Sequence, residues 1–213
     1  MSVSKFSARA LCDAFCAFGL LLGMTPAAQA TITVLAQYKL GEADASAAPG
    51  APVGATSLPS VGTSALNRVG APTYSNATTS APRPSPLSVA FNGTSDGLRA
   101  SALLTNVNDN FGVEAWVRPT NAVGNSTIAY NGNTSPNGWG LFRSGTSFGY
   151  LYGGNLLALY PNTVNLNQWT HLAVVRNVGV TTFYINGVAQ SPIYPHFPNP
   201  PTSGTFSIGI NPL

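Results

Sequence analysis

Cysteine is almost missing from this chain. There are two among 213 residues, Cys12 and Cys16, and both fall in the first thirty. From Thr31 onward there are none. That excludes disulfides, thiolate catalysis and cysteine-held metal from the remaining 183 residues. Charge is the second scarcity. Only 7% of residues are charged, against about 25% in an ordinary soluble domain. The net charge is +3. Without Lys5, Arg9 and Asp13 it is +2, from seven basic and five acidic residues. Arg68, Arg83, Arg99, Arg118, Arg143 and Arg176 stand singly along the chain. Nucleic acid requires a clustered basic surface, so that partner is excluded. Histidine is limited to His171 and His196, with no acid at ligand spacing, which leaves no zinc motif. No helical period is found after residue 30.

The first thirty residues carry their own pattern. Lys5 and Arg9 are followed by the apolar stretch Ala14 to Met24, then by Ala28-Gln29-Ala30. The apolar stretch is too short to span a bilayer. Positive start, apolar middle and small residues at a cleavage point define a secretory signal peptide over 1–30. The expected product is a secreted or cell-surface domain over 31–213, with no transmembrane span. Without disulfides it is held by its core, and its length suffices for one.

The rest of the chain reads as strands. Apolar and polar residues alternate over 111–118, 127–130, 139–143, 147–152, 156–160, 169–176, 180–186 and 205–210. Thr31 to Leu40, Leu66 to Tyr74 and Leu87 to Phe91 add earlier segments, with a turn at 92–97. Asn186-Gly187 between apolar runs marks a tight hairpin. Residues 45–66 are rich in Ala, Gly, Pro and Ser and read as a long surface loop. Residues 78–86 hold three prolines, and 192–204 begins with five prolines in ten residues, so both are loops. This spacing predicts an all-β, two-sheet antiparallel sandwich. On 111–118, Phe111, Val113, Ala115 and Val117 share the core face, opposite Glu114, Trp116 and Arg118. Strand 169–176 is apolar on both faces, which places it centrally. The Asn-x-Ser/Thr triplets at Asn76, Asn92, Asn125 and Asn133 read as exposed loops.

Three phrases carry a resemblance: "NFGVEAWVRP" (110–119), "NQWTHLAVVR" (167–176) and "TTFYINGV" (181–188). They are similar to the signature stretches of LamG-like, concanavalin A-like jelly-roll domains. The likeness runs from Phe91 to Ile210, with a weaker match at 34–44. It implies a jelly roll in a secreted or surface protein that binds glycans, other proteins or matrix, sometimes with calcium. Such domains end in a Gly-x-Ile-Asp-Glu-Val type strand, whereas this chain ends at Ser207-Ile208-Gly209-Ile210-Asn211-Pro212-Leu213. The resemblance therefore implies a missing closing strand, and a surface anchor downstream of Leu213.

Candidate chemistry is thin. Glycoside hydrolysis calls for two carboxylates about 5–10 Å apart. Glu114 is followed at strand spacing by Trp116 and Arg118, and it is expected to pair with Arg118. Glu42 and Asp44 fit the spacing but begin a loop, and Asp96 and Asp109 stand apart. Gly145-Thr146-Ser147-Phe148-Gly149 matches a nucleophile elbow, but strand residues follow where a helix is needed. Asp96, in a Gly-flanked loop, is the side-chain candidate for calcium. The aromatic residues remain. Trp139, Arg143, Tyr150, Tyr152 and Tyr160 are the ligand-contact candidates, as flat rings with a guanidinium nearby. Trp116 and Trp169 are assigned to the core. The sequence thus reads as a non-catalytic binding or adhesion module for glycans or extracellular proteins. A polysaccharide hydrolase and a purely structural surface domain are the alternatives.

Overall fold

The computed structural model describes residues 32–41, 44–80 and 85–211. The signal-peptide reading at 1–30 and Glu42 lie outside them. Val34–Leu213 forms one compact unit. Among the described residues there are fourteen strands and no helix.

The larger sheet has eight strands. Its order is β1 (Thr56–Ser57), β2 (Leu66–Val69), β5 (Gly97–Ser101), β14 (Thr205–Ile208), β7 (Asn125–Asn133), β8 (Asn137–Ser144), β9 (Ser147–Tyr152) and β10 (Leu156–Tyr160). The smaller sheet runs β13 (Val188–Ala189), β12 (Val180–Ile185), β11 (Thr170–Asn177) and β6 (Phe111–Val117). A separate hairpin-like pair joins β3 (Thr73–Ser75) to β4 (Ser88–Ala90). Every pairing is antiparallel.

The two main sheets meet in one core. Phe111, Leu172, Val174 and Phe183 come from the small sheet, and Trp139, Leu141, Phe148, Tyr150, Tyr152, Ala158 and Tyr160 from the large one. Phe111 stacks on Trp139 at 3.9 Å between ring centres, and Tyr160 on Phe183 at 5.1 Å. Large aromatic rings dominate burial in such a core. A second cluster, with Val53, Leu66, Tyr74, Leu98, Ala129 and Phe206, fills the other end of the large sheet.

The expected faces of β6 are observed, with Val113, Ala115 and Val117 packed on the core and Glu114 and Trp116 outward. β11 lies between β12 and β6, as its two apolar faces require. Asn186 and Gly187 take φ of 50° and 79°, the left-handed pair that a tight hairpin turn demands.

Other segments differ from the sequence reading. Thr31 to Leu40 forms no strand within its described part. Gln37 makes a single bridge to Val61, and Tyr38 anchors the segment by stacking on Phe206 and donating to Ser64 O at 2.7 Å. The backbone bonds of Gln37 to Ser60 and Val61 and the side chain of Tyr38, not a continued ladder, hold it there. Segment 45–66 is not purely a surface loop: it contributes β1 and the fully buried Val53. Leu66 to Tyr74 splits at Gly70, whose φ is +70°. β5 follows the turn at 92–97 and has no counterpart in the sequence reading. Asn125 and Asn133 are the ends of β7. The last strand, β14, lies inside the sheet and pairs on both sides, with Phe206 opposite Ala100 and Asn131.

Glycine decides one close approach. A Cβ at Gly140 would stand 2.2 Å from Ala129 O and 2.8 Å from the Tyr130 ring. The buried Tyr130 donates to Asn137 O and accepts from Gly153 N–H at 2.9 Å, so its ring has no room to retreat. Gly140→Ala is expected to cost about 1–3 kcal/mol through overpacking. Urea unfolding measures this, and an unchanged midpoint would refute the packing account.

Candidate functional site

The five ligand-contact candidates are buried. Tyr150 and Tyr152 have no exposed surface, and Trp139, Tyr160 and Arg143 retain only a few per cent. Trp139 pairs with Tyr152, and Leu141 with Tyr150, so these rings share the inward face of neighbouring strands. The Tyr152 hydroxyl meets Thr181 Oγ1 at 2.7 Å, and Tyr160 donates to Pro192 O at 3.0 Å. Trp139 Nε1 and the Tyr150 hydroxyl have no partner among the described residues. A ring closed between two sheets offers no face to a sugar. The assignment of Trp139, Tyr150, Tyr152 and Tyr160 as contact residues is corrected here: they build the core.

The acidic residues are separately engaged. Asp44 accepts from Ser57 Oγ, Leu58 N–H and Tyr74 OH. Asp109 accepts from Gly179 N–H and lies 3.3 Å from Arg176 Nε. Asp96 is buried, and its two oxygens accept from Ala71 N–H and Asn92 N–H. Both carboxylate oxygens of Asp96, the calcium candidate, are thus engaged by backbone N–H groups of the 70–71 and 92–96 turns. Among the described residues no three His, Cys, Asp or Glu side chains cluster as metal ligands. Gly145-Thr146 is the hairpin turn from β8 to β9, so no helix follows Ser147.

The solvent face of the small sheet holds what the sequence reading misplaced. Trp116, assigned to the core, is 44% exposed; Trp169 is half-buried. Trp116 pairs with His171 across β6 and β11, and their rings lie 5.1 Å apart. Glu114 reaches His171 Nε2 at 3.3 Å. The expected partner, Arg118, instead donates to Asn167 O at 3.0 Å. Glu114 lies opposite Ala173, and Ala173 opposite Tyr184 of β12. This face therefore presents Trp116, His171, Glu114 and a half-buried Tyr184 around the small side chain of Ala173. Such a surface can stack on a flat apolar ring face and hydrogen-bond its substituents. The period-two pattern of "VEAWV" already put Glu114 and Trp116 on one face. Their outward direction was the available signal.

Arg143 lies elsewhere. It forms part of the wall of a cleft of about 410 Å³ shared with Asn92, Gly93, Thr94, Asn121, Val123 and Ser126. Burial lowers its guanidinium pKa.

Two antiparallel sheets packed on one aromatic core define an all-β sandwich of the concanavalin A-like kind. Residues 92–212 match the model of the Concanavalin A-like lectin/glucanases superfamily, and the chain belongs to that family. No curated protein matches it. Among solved structures it is similar to domain 4 of AbnA, a GH43 extracellular arabinanase from Geobacillus stearothermophilus, in complex with arabinotriose. The identity is 18%, over 84% of this chain and 73% of that one, with a TM-score of 0.39.

Proposed function

We propose that this protein is a secreted, non-catalytic glycan-binding module. Trp116, exposed beside the Glu114–His171 pair on the open face of the small sheet, carries this reading. Indole is large, rigid and apolar, and its exposure on a regular strand costs hydrophobic stabilisation that a stacked sugar ring would restore. His171 and Glu114 supply a donor and an acceptor at the rim of that ring. Membership of a family of lectins and glucanases is consistent with either binding or hydrolysis. The separate engagement of Asp44, Asp96, Asp109 and Glu114 favours binding without turnover. The arrangement of Lys5, Arg9, the apolar stretch and Ala28-Gln29-Ala30 supports secretion.

The test is a panel of neutral and acidic polysaccharides titrated with the purified chain, with and without chelator. Trp116→Ala is expected to weaken the best ligand about tenfold, equivalent to about 1.4 kcal/mol, and Trp116→Phe to restore most of that. No saccharide binding in either condition, or full binding by Trp116→Ala, would overturn the reading.

A further inference from the structure

Among the described residues two arginines are buried, and the difference between them is informative. Arg176 has a carboxylate beside it, Asp109 at 3.3 Å. Arg143 is 7% exposed, and among the described residues no carboxylate contacts it. Its Nη1 donates to Gly145 O at 3.0 Å, and its Nη2 to Val123 O at 3.1 Å and Ser126 Oγ at 2.7 Å. All three acceptors are neutral. A guanidinium has five N–H groups, so Nε–H and one Nη1 hydrogen remain uncommitted. Burying a cation without a counter-charge is costly, and a site that does so gains when an anion arrives.

The surroundings suit a sugar-borne anion. The cleft beside Arg143 holds about 410 Å³, within the usual range for small-molecule sites. Its other walls are Asn92, Gly93, Thr94, Asn121, Ser126 and a single valine, Val123. The Asn92 amide and the Thr94 and Ser126 hydroxyls are bonded within the protein, so Arg143 is the charged donor of the cleft. A polar lining with one apolar side chain suits a hydroxylated ligand better than an apolar one, and the volume exceeds what a bare ion needs. The loop itself is well braced: Asn92 Oδ1 accepts from the N–H groups of Thr94, Ser95 and Asp96. The wall is thus held in place before a ligand arrives, which lowers the ordering cost of binding.

We propose that this cleft binds the carboxylate of an acidic sugar unit, with Arg143 as its counter-ion. The inference rests on the glycan-binding reading but uses a site on the large sheet, distinct from Trp116. The experiment is calorimetric titration with a galacturonate trimer, the methyl ester of the same trimer, and sodium acetate. The acidic trimer is expected to bind about tenfold tighter than its ester. Arg143→Gln should abolish that preference.

Arg143→Gln also disturbs three loop contacts, so a second pair of variants at the exposed Thr94 keeps the test independent of folding. Measured against the ester with the same variant, Thr94→Glu should lower the preference for the acidic trimer several-fold and Thr94→Lys should raise it. Equal binding of acid and ester overturns this proposal while leaving the Trp116 reading intact. Acetate saturating the cleft as tightly as the trimer overturns the sugar assignment. Failure of both trimers together with every neutral glycan in the Trp116 panel overturns the proposal and the glycan reading alike.

Discussion

Replacing Arg176 by alanine is expected to cost about 3–5 kcal/mol of stability. The side chain is fully buried at the end of β11. Its Nε donates to Asn108 O at 3.0 Å, and its Nη1 to Thr181 Oγ1 and His196 O, both at 2.9 Å. Its guanidinium carbon lies 4.1 Å from the centre of the Phe197 ring. One side chain thus ties the 106–110 loop, β12 and the proline-rich 192–201 segment to β11. Alanine would remove the donor to Asn108 O, His196 O and Thr181 Oγ1 and the cation beside Asp109 at once, and would leave a cavity under Phe197. Asp109→Asn takes the counter-charge from the buried guanidinium, but it should cost less than alanine at 176, because Arg176 keeps its three neutral acceptors and an amide oxygen still accepts from Gly179 N–H. Chemical unfolding of both variants measures the contrast. An Arg176→Ala chain within about 1 kcal/mol of the parent would contradict the role assigned to it.

Alkaline pH should unfold the protein in a cooperative step. Tyrosine ordinarily ionises near pH 10. Burial holds Tyr160 at about 12; burial, aided by the Asp44 carboxylate, does the same for Tyr74. Burial also raises Tyr130, Tyr150 and Tyr152. The folded chain therefore keeps protons that the unfolded chain releases. Stability from these groups is fully present below pH 10 and is lost as pH rises from 10 through 12. At Tyr160 alone the two-unit rise is worth about 2–3 kcal/mol, a large share of the ~5–15 kcal/mol of an ordinary domain. Tyrosinate absorbance and near-ultraviolet circular dichroism should change together above pH 11. Smooth titration of all eight tyrosines near pH 10 with the fold intact would sink this expectation.

Much of the fold was legible in the sequence. The run from β6 to β12 alternates strictly enough to set strand positions and, at β6, the faces. Asn186-Gly187 declared its turn because few other pairs tolerate two positive φ values. The β5 strand was not legible: "GLRAS" is short and follows a glycine-rich turn, so it becomes a strand only because β2 and β14 flank it. The segment before Leu40 had strand-like composition but found no neighbouring strand to pair with beyond Gln37–Val61.

The candidate site was legible as residue types and not as places. Aromatic side chains on 139–160 and Trp116 on β6 look alike in a sequence, since each alternates with small or polar neighbours. What separates them is which face meets the opposing sheet. That choice is made by the packing of Phe111, Leu172 and Phe183 against β8 to β10.

The sequence by itself determined the class. The alternating run specified the strands of an all-β sandwich. Strand period is a local property, readable wherever apolar and polar residues take turns. Only the tertiary structure decided that Tyr150 and Tyr152 are core while Trp116 faces solvent. It alone gave Arg176 a carboxylate and, among the described residues, left Arg143 without one. Those outcomes depend on partners tens of residues away in the chain, which no local pattern encodes.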